Sequence, residues 1–285
     1  MKRTLTAHSP AKVNLMLRII EKRKDGYHEI RTVFQKISLH DTLRFRLKEE
    51  PGIVIRTNDS SLPTGKENLI YRAASALLQR SAYKGGVSIA LLKRIPVGAG
   101  LGGGSSNAAT TLKALNLLLN LNLSARELAE FGLRIGADVP FFLMEGSALG
   151  TGIGERLRRI DLPELWYILI NPGFEVSTAW AYGNHVLTKR RIDYNIHKFP
   201  RIPDEVAGFL WNDLEGVVSK AHPEISSAKE ILFSKGALGA LMTGSGPTVF
   251  GIFREEGGAS KAYKKIRAMV TGKGWIVLKA HSIAV

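Results

Sequence analysis

The stretch that decides the fold reads Pro96-Val97-Gly98-Ala99-Gly100-Leu101-Gly102-Gly103-Gly104-Ser105-Ser106. Glycine permits positive φ angles and close approach of other atoms to the backbone. The N–H groups of such a turn converge on an anion, and a following helix adds the positive end of its dipole. The segment therefore predicts a phosphate-binding turn. Ser105 and Ser106 are predicted at the N-cap of the helix, with hydroxyls that contact phosphate oxygens or Mg²⁺.

The residues on either side of this turn predict a strand before it and helices after it. Apolar residues alternate along Val87–Leu91, which is typical of a half-buried strand. From Ser106 to Leu119 they recur at three- and four-residue spacing, which is typical of a helix. Ser124 and Glu127 form a capping box that opens a second helix, and Gly136 ends it.

Three other interpretations of the glycine-rich turn are less consistent with the sequence. The turn lacks the Gly-Lys-Ser/Thr ending of a Walker A loop, although Gly98–Gly103 fits G-x-G-x-x-G. A dinucleotide-binding turn predicts an acidic residue about 20 positions later, and Asn116–Asn122 contains only asparagine and leucine. A flexible surface loop is the remaining alternative, but flexible linkers rarely join an alternating strand to a strongly patterned helix.

The rest of the chain predicts an α+β protein, because its strands and helices do not alternate strictly. The predicted strands are Leu5–Ile20, Leu43–Leu47 with Gly52–Thr57 as its partner, Trp166–Asn171 and Thr248–Phe253. The predicted helices are Asn68–Gln79, Thr178–Val186, Pro203–Leu210 and Ser226–Ser234. A boundary near Gly154–Leu162 predicts two domains, residues 1–156 and 157–285.

Composition limits the classes of function. The chain has 285 residues and no cysteine, which excludes disulfides and thiolate chemistry. Its net charge of +15 attracts polyanions such as nucleic acids, anionic lipids and phosphorylated metabolites. The basic residues are scattered, with local clusters at Glu21–Lys24, Arg156–Arg159 and Lys189–Arg191, so a small phosphorylated partner is predicted rather than a nucleic acid. No signal peptide or membrane span is recognisable, which predicts a cytoplasmic protein with no membrane partner.

Three segments together resemble the motifs of a known family, the GHMP kinases, named for galactokinase, homoserine, mevalonate and phosphomevalonate kinases. The segments are Pro10–Leu15, Pro96–Ala109 and Thr243–Thr248, in the order that the family has. The resemblance implies a two-domain fold, with an N-terminal domain like domain 2 of ribosomal protein S5 and a C-terminal ferredoxin-like α/β plait. It also implies an ATP- and Mg²⁺-dependent small-molecule kinase that phosphorylates a hydroxyl group.

Further segments are similar to one member of this family. They are Arg23–His28, Glu67–Ile70, Gly136–Phe141 and Asn212–Glu215. That member acts on cytidine diphosphate methylerythritol in the non-mevalonate isoprenoid pathway. The Asp-Gly-Tyr-His element that ends at His28 is the most specific of the four. The resemblance implies that Tyr27 stacks on a cytosine ring and that His28 contacts its edge.

The resemblance also implies two catalytic residues, Lys12 and Asp138. By sequence context alone, Asp138 is equally a turn or N-cap aspartate, and Lys12 a surface lysine whose ammonium reaches solvent. The family places its base at the position of Asp138, where a carboxylate accepts the proton of the substrate hydroxyl. Lys12 would then offset the developing negative charge.

The remaining site residues follow from the same resemblance. Asn14 shares the strand face of Lys12 and is predicted to contact the substrate. Tyr182 or Phe174 supplies a second stacking ring, and Gly244 and Ser245 support the substrate phosphates. Asn68 and Lys93 lie near the adenine. Without the resemblance, Asn68 is a helix cap, Lys93 a surface charge and Thr243–Thr248 a hairpin turn, while Asn212 and Asp213 are assigned a structural role.

Some questions stay open at the level of sequence. His185, His197 and His222 lack ligand-like spacing, so no structural metal is predicted. The oligomeric state is open between a monomer and a weak dimer. Another GHMP kinase specificity is one alternative function, which a dispensable Tyr27-His28 pair would favour. An RNA-binding protein is another, and it predicts a steep salt dependence of RNA affinity and no ATP turnover.

Overall fold

The computed structural model describes residues 3–186 and 199–283. Its packing divides the chain into two compact units that interleave along the sequence. The first unit comprises Met1–Ala11, His40–Pro96 and Gly102–Glu145, and the second comprises Lys12–Leu39, Val97–Leu101 and Gly146–Val285. Because each unit is built from several segments, the division into residues 1–156 and 157–285 stays a prediction. Two long strands, β1 (Thr4–Lys22) and β2 (His28–Lys48), contribute residues to both units.

The first unit contains part of a sheet in which β4 (Gly86–Leu92) lies between β2 and β3 (Gly52–Thr57). Strand β4 pairs antiparallel with Thr42–Lys48 of β2 and parallel with β3. The prediction that Gly52–Thr57 pairs with Leu43–Leu47 is therefore wrong. The physical reason is the connection from β3 to β4, which contains helix α1 (Leu69–Arg80). Strands joined through a helix lie parallel, whereas a short hairpin would have paired neighbours antiparallel.

The other helices of the first unit are α2 (Gly103–Leu118), α3 (Ala125–Ile135) and α4 (Val139–Leu143). Helix α2 is buried along most of its length, which small alanine, serine and threonine side chains permit. It begins about three residues earlier than predicted, so Gly102 is its N-cap and the N-cap positions predicted for Ser105 and Ser106 are wrong. The capping box of Ser124 and Glu127 at the start of α3 is confirmed.

The second unit contains a four-stranded antiparallel sheet. Its strands are β7 (Trp166–Asn171), β9 (Gly239–Met242), β10 (Val249–Phe253) and β11 (Ile276–His281), in the order β11-β7-β10-β9. Helices α8 (Glu224–Ser234) and α9 (Glu256–Met269) pack against it. This β-α-β-β-α-β arrangement is ferredoxin-like, as predicted. Its core includes Ile168, Ile170, Leu232, Val249 and Ile266.

The other elements of the second unit complete the chain. They are β5 (Ser147–Thr151), β6 (Arg156–Ile160), α5 (Thr178–Gly183), α6 (Pro203–Phe209), β8 (Trp211–Asn212) and α7 (Glu215–Ala221). Strand β5 pairs with β2 and β6, and β8 pairs with β1 at Met16 and Leu17. Among the described residues no helix has the length and apolarity needed to cross a bilayer. His197 and the basic cluster Lys189–Arg191 lie outside the described residues.

Candidate active site

Three sequence segments meet around the side chain of Thr243 in the second unit. Its hydroxyl oxygen accepts a hydrogen bond from the backbone N–H of Asn14 at 3.0 Å and lies 3.4 Å from the carbonyl oxygen of Gly100. The backbone N–H of Lys12 donates to the carbonyl of Leu101 at 3.0 Å. The N-terminal strand, the glycine-rich turn and the C-terminal glycine turn are therefore neighbours, although up to 229 positions separate them.

The amine of Lys12 is held in a defined position. The residue is 4% exposed, and its Nζ donates to Oδ1 of Asn14 at 2.5 Å. The amide group of Asn14 in turn donates to Oγ1 of Thr32 at 2.7 Å, which fixes its orientation. Nζ also lies 5.6 Å from the ring centre of Phe34. Lys12 is thus buried and oriented, which contradicts the alternative of a surface lysine.

Close packing of two glycines joins the glycine-rich turn to the C-terminal turn. Gly100 has a φ of +74°, and a Cβ atom there would lie 2.2 Å from the carbonyl oxygen of Thr243. Gly244 has a φ of +58°, and its Cβ atom would lie 3.0 Å from the carbonyl oxygen of Gly100. Only glycine satisfies both the backbone conformation and the available space at these positions.

The glycine-rich turn continues into α2, whose N-cap, Gly102, is left-handed and has no side chain to cap the helix. The N–H of Ser106 closes the first helical turn on the carbonyl of Gly102. The N–H groups of Gly103, Gly104 and Ser105 therefore have no acceptor within the helix. Amides of this kind, at the positive end of a 16-residue helix, suit a phosphate group.

The two serines of the turn differ in accessibility. Ser106 is fully buried, and its hydroxyl accepts a hydrogen bond from the hydroxyl of Ser9 at 2.8 Å. These bonds anchor Ser106 at the start of α2, and its contact with the nucleotide stays a prediction. Ser105 is only partly buried, so its hydroxyl is the better candidate for phosphate or Mg²⁺.

Asp138 lies in the first unit, at the N-cap position of α4. It is two residues after Gly136, the C-cap of α3. Its side chain forms no capping bond to α4, so the alternative of a simple N-cap aspartate is not supported. The position of α4 depends on Gly132, where a Cβ atom would lie 2.9 Å from Cγ1 of Val139 and 3.0 Å from Cδ1 of Leu143. The close contact between α3 and α4 thereby determines where Asp138 lies.

An aromatic pair forms in the second unit. The rings of His28 and Tyr182 have their centres 5.2 Å apart, and Tyr27 on the same turn is 59% exposed. The turn is shaped by Asp25, whose carboxylate accepts the N–H of Tyr27 at 3.1 Å. Burial lowers the pKa of His28, and the charge of Lys22 lowers it further, so the imidazole is neutral at pH 7 and offers one donor and one acceptor.

The two aromatic residues predicted for the second stacking ring are thus in different surroundings. Tyr182 accompanies His28, whereas Phe174 is stacked on His222 with ring centres 4.4 Å apart. Ser245, from the C-terminal turn, forms a hydroxyl–hydroxyl hydrogen bond with Thr178 at 3.0 Å. Thr178 begins α5, the helix that also carries Tyr182.

Asn68 and Lys93, both in the first unit, have structural partners. Asn68 caps α1 by accepting the N–H of Ile70 at 2.9 Å and donates to the carbonyl of Pro63 at 2.7 Å. Lys93 is not a surface charge, since its side chain is 7% exposed and its Nζ lies 2.9 Å from Oδ2 of Asp41. The contacts of Asn68 and Lys93 with adenine stay predictions.

Asp41 and Thr32 were missed at the level of sequence. Both are fully buried, and both orient residues of the predicted site. Thr32 gave no signal, because threonine is common in strands. Asp41 gave no signal either, because it lies outside the predicted strand Leu43–Leu47, and only the structure places it within the longer β2.

Two family models match this chain. The model described as "GHMP kinases N terminal domain" matches residues 68–146, and the model described as "GHMP kinases C terminal" matches residues 198–271. A protein of Syntrophus aciditrophicus named 4-diphosphocytidyl-2-C-methyl-D-erythritol kinase is 52% identical over 96% of this chain and 98% of its own length. The chain belongs to the GHMP kinase family.

Further relatives agree with this assignment. A protein of the same name from Pelobacter propionicus is 44% identical over 99% of this chain and all of its own length. As a GHMP kinase, the protein is a small-molecule kinase that uses ATP. The expectations of family, enzyme class and a small-molecule substrate are therefore confirmed.

Solved structures confirm the predicted two-domain fold of this GHMP kinase. The crystal structure titled 4-(cytidine 5'-diphospho)-2C-methyl-D-erythritol kinase has a TM-score of 0.81 and 36% identity, and covers 99% of this chain and 100% of that chain. Mevalonate kinase of Methanococcus jannaschii has a TM-score of 0.75 at 16% identity, with 98% of each chain covered, which shows the shared fold alone.

Proposed function

We propose that this GHMP kinase transfers the γ-phosphate of ATP to the 2-hydroxyl of 4-diphosphocytidyl-2-C-methyl-D-erythritol, giving the 2-phosphate and ADP. The product would serve the non-mevalonate isoprenoid precursor pathway. The observation that carries the proposal is the full-length identity of 52% and 44% to relatives of that name. The aromatic pair of His28 and Tyr182 supports it from the side of the substrate, because a nucleobase suits such a pair.

The nucleotide would bind with its phosphates at the glycine-rich turn. The N–H groups of Gly103, Gly104 and Ser105, which have no acceptor within the helix, would be the donors, and the dipole of α2 adds to them. A hydroxyl oxygen such as that of Ser105 is a ligand type that Mg²⁺ accepts. When bound, Mg²⁺ would supply positive charge that offsets the negative charge developing during phosphoryl transfer.

The cytidine end of the substrate would bind at the turn that contains Tyr27 and His28. The exposed ring of Tyr27 and the ring of Tyr182 offer faces for stacking on cytosine, worth about 1–3 kcal/mol for each stacked base. Neutral His28 offers one donor and one acceptor, which matches a base edge that also carries both. Ser245 and Gly244 would lie along the diphosphate.

Phosphoryl transfer depends on positioning and charge neutralisation more than on covalent chemistry. Asp138 would accept the proton of the substrate hydroxyl as phosphate transfer proceeds. Lys12, oriented by Asn14, would stabilise the developing negative charge on the attacking oxygen. Transfer in line from ATP to the hydroxyl leaves no phosphorylated enzyme intermediate.

An acceptor panel tests the proposal. Purified protein is incubated with ATP, Mg²⁺ and, in separate reactions, the cytidine diphosphate alcohol, mevalonate, homoserine and galactose. We expect ADP to be released only with the cytidine compound. NMR of the product should show a phosphate on the 2-hydroxyl of that compound. Release with another acceptor at a higher kcat/KM would assign a different specificity within the family.

Two matched variants test the cytosine site. Tyr182→Leu removes the ring beside His28 and should raise KM for the cytidine substrate about tenfold, since one stacked base is worth about 1–3 kcal/mol. Phe174→Leu removes the ring that stacks on His222 and should change KM less than threefold. Equal effects of the two variants would argue against a cytosine site at Tyr182.

A further inference from the structure

The segment Lys93–Ile95 leaves the sheet just before the glycine-rich turn. Strand β4 ends at Leu92, and Pro96 opens the turn. The backbone groups of this segment are bonded to side chains rather than to a neighbouring strand. Two side chains, Asp41 and Asn58, provide most of these bonds.

Asp41 bonds to three consecutive residues. Its Oδ1 accepts the N–H of Arg94 at 2.7 Å and the N–H of Ile95 at 2.9 Å. Its Oδ2 accepts the Nζ of Lys93 at 2.9 Å. Lys93 Nζ also donates to the carbonyl of Ile95, so the segment is closed on itself around one buried carboxylate.

Asn58 holds the start of the same segment. Its Oδ1 accepts the N–H of Lys93 at 2.7 Å, and its Nδ2 donates to the carbonyl of Lys93 at 3.2 Å. These two hydrogen bonds replace those that a neighbouring strand would make, at the point where the sheet has ended. Together, Asp41 and Asn58 form a clamp that determines the backbone path of Lys93–Ile95.

The clamp also reaches the start of α2. A Cβ atom at Gly103 would lie 3.1 Å from Nζ of Lys93 and 3.1 Å from Cγ2 of Ile95. The clamped segment therefore packs directly against Gly103, the first residue of α2, whose N-terminal amides are the proposed phosphate donors. Burial lowers the pKa of Lys93, and the charge of Asp41 acts in the opposite direction.

We propose that Asp41 and Asn58 are positioning residues for nucleotide binding, which hold the N-terminus of α2 in the geometry that accepts the ATP phosphates. The inference rests on the proposed nucleotide site. Neither residue contacts the phosphates; each acts through Lys93–Ile95. Loss of the clamp would displace the donor amides, and a displacement of about 1 Å can cost on the order of 100-fold in a positioned reaction.

The test uses the variants Asp41→Asn and Asn58→Ala in the full chain. Asp41→Asn keeps an acceptor for the two N–H groups but removes the charge opposite Lys93. Asn58 is exposed, so Asn58→Ala folds even where Asp41→Asn does not. Asp213→Asn is the matched control, because Asp213 also accepts a backbone N–H, that of Ile19 at 2.7 Å, but makes no bond to the segment Lys93–Ile95.

Two readouts separate positioning from general stability. The KM for ATP should rise about tenfold or more in the clamp variants. The Kd for Mg-ADP, measured by calorimetry well below the melting temperature, should rise by the same factor. KM for the cytidine substrate should change less than threefold, and Asp213→Asn should leave both nucleotide constants unchanged. Folded Asn58→Ala with the wild-type Kd for Mg-ADP would overturn the proposal.

The Kd measurement also distinguishes this proposal from the proposed function. It requires nucleotide binding but no turnover, so a wrong acceptor assignment would not affect it. Wild-type protein that does not bind Mg-ADP would refute the nucleotide site and this proposal together. Wild-type protein that binds Mg-ADP, with clamp variants that bind it equally well, would refute the positioning role alone.

Discussion

At the scale of single residues, Lys12 and Asp138 are held by different means. Lys12 is buried on a strand, and its amine is oriented by Asn14 and Thr32 through two successive hydrogen bonds. Asp138 starts a short helix and forms no capping bond to it. Substitution of Asp138 therefore removes no capping bond of α4.

The first residue-scale prediction concerns Asp138→Asn, which removes the carboxylate but keeps the size of the side chain. If Asp138 accepts the proton of the hydroxyl, kcat should fall about 10²–10⁴-fold, with KM for ATP nearly unchanged. Steady-state kinetics with the cytidine substrate provides the measurement. Asp161→Asn is the control and should keep the wild-type kcat, because Asp161 is an exposed aspartate that directly follows β6. A kcat for Asp138→Asn within threefold of wild type would rule out the role of base.

The second residue-scale prediction concerns the pH dependence of His28. Burial, with a further effect of Lys22, lowers its pKa from the ordinary value of 6.5. Because the folded pKa lies below the unfolded one, the unfolded state binds more protons between the two values. The free energy of unfolding should therefore decrease as pH falls from about 6.5 through the folded pKa. The affinity for cytosine should decrease over the range in which the ring of the folded protein becomes protonated.

NMR titration of the His28 ring proton measures this shift directly. The pKa in the wild type should lie below 6.5, and Lys22→Gln should raise it, because that variant removes a repelling charge. KM for the cytidine substrate should increase over the same pH range in which the ring becomes protonated. A folded-state pKa of 6.5 or above would contradict the predicted direction.

At the scale of elements, the glycine-rich turn has its shape because it packs tightly against the C-terminal turn. Gly98 and Gly100 both have positive φ, so alanine at either position costs about 1–2 kcal/mol in backbone energy. At Gly100 a Cβ atom would also lie 2.2 Å from the carbonyl oxygen of Thr243, whereas at Gly98 it would meet the flexible side chain of Glu175 at 2.9 Å.

We therefore expect Gly100→Ala to lower the free energy of unfolding by about 1–3 kcal/mol more than Gly98→Ala, since overpacking against a fixed backbone atom adds to the backbone cost. Urea denaturation of the two variants beside the wild type gives the comparison. Gly98→Ala serves as the matched control for the positive φ. Equal losses in the two variants would mean that the contact with Thr243 does not limit the turn.

At the scale of the whole molecule, the net charge of +15 attracts any polyanion, and the nucleotide site must be distinguished from this general effect. A ligand that binds only the folded state stabilises it by about 2.7 kcal/mol at 100 times its Kd. General attraction between exposed charges is screened at ionic strengths near 0.15 M, where the Debye length is about 8 Å.

Mg-ADP should therefore raise the melting temperature at 0.15 M salt, and tripolyphosphate at matched ionic strength should raise it less. Chelation of Mg²⁺ with EDTA should reduce the effect of ADP, because the metal neutralises the phosphate charge. Thermal unfolding at increasing ligand concentrations measures the shifts. Equal stabilisation by the two anions would point to non-specific charge attraction and away from a nucleotide site.

The sequence alone determined the features that depend on neighbours along the chain. Alternation of apolar residues predicted β4, and a short apolar run predicted β7. The Ser124–Glu127 pair predicted the start of α3, and the glycine-rich stretch predicted a turn that leads into a helix. The three motifs also predicted the family, because their residue types and order are specific. These signals are local, since periodicity and capping involve residues only a few positions apart.

Only the tertiary structure decided which distant residues meet. It paired β3 with β4 rather than with β2, buried Ser106 against Ser9, placed Tyr182 rather than Phe174 beside His28, and joined Asp41 to Lys93 across 52 positions. Each of these contacts requires closing a long loop and burying groups against partners chosen by the fold. The physical reason is that local pattern carries the conformation of a segment, whereas its partners depend on how the whole chain packs.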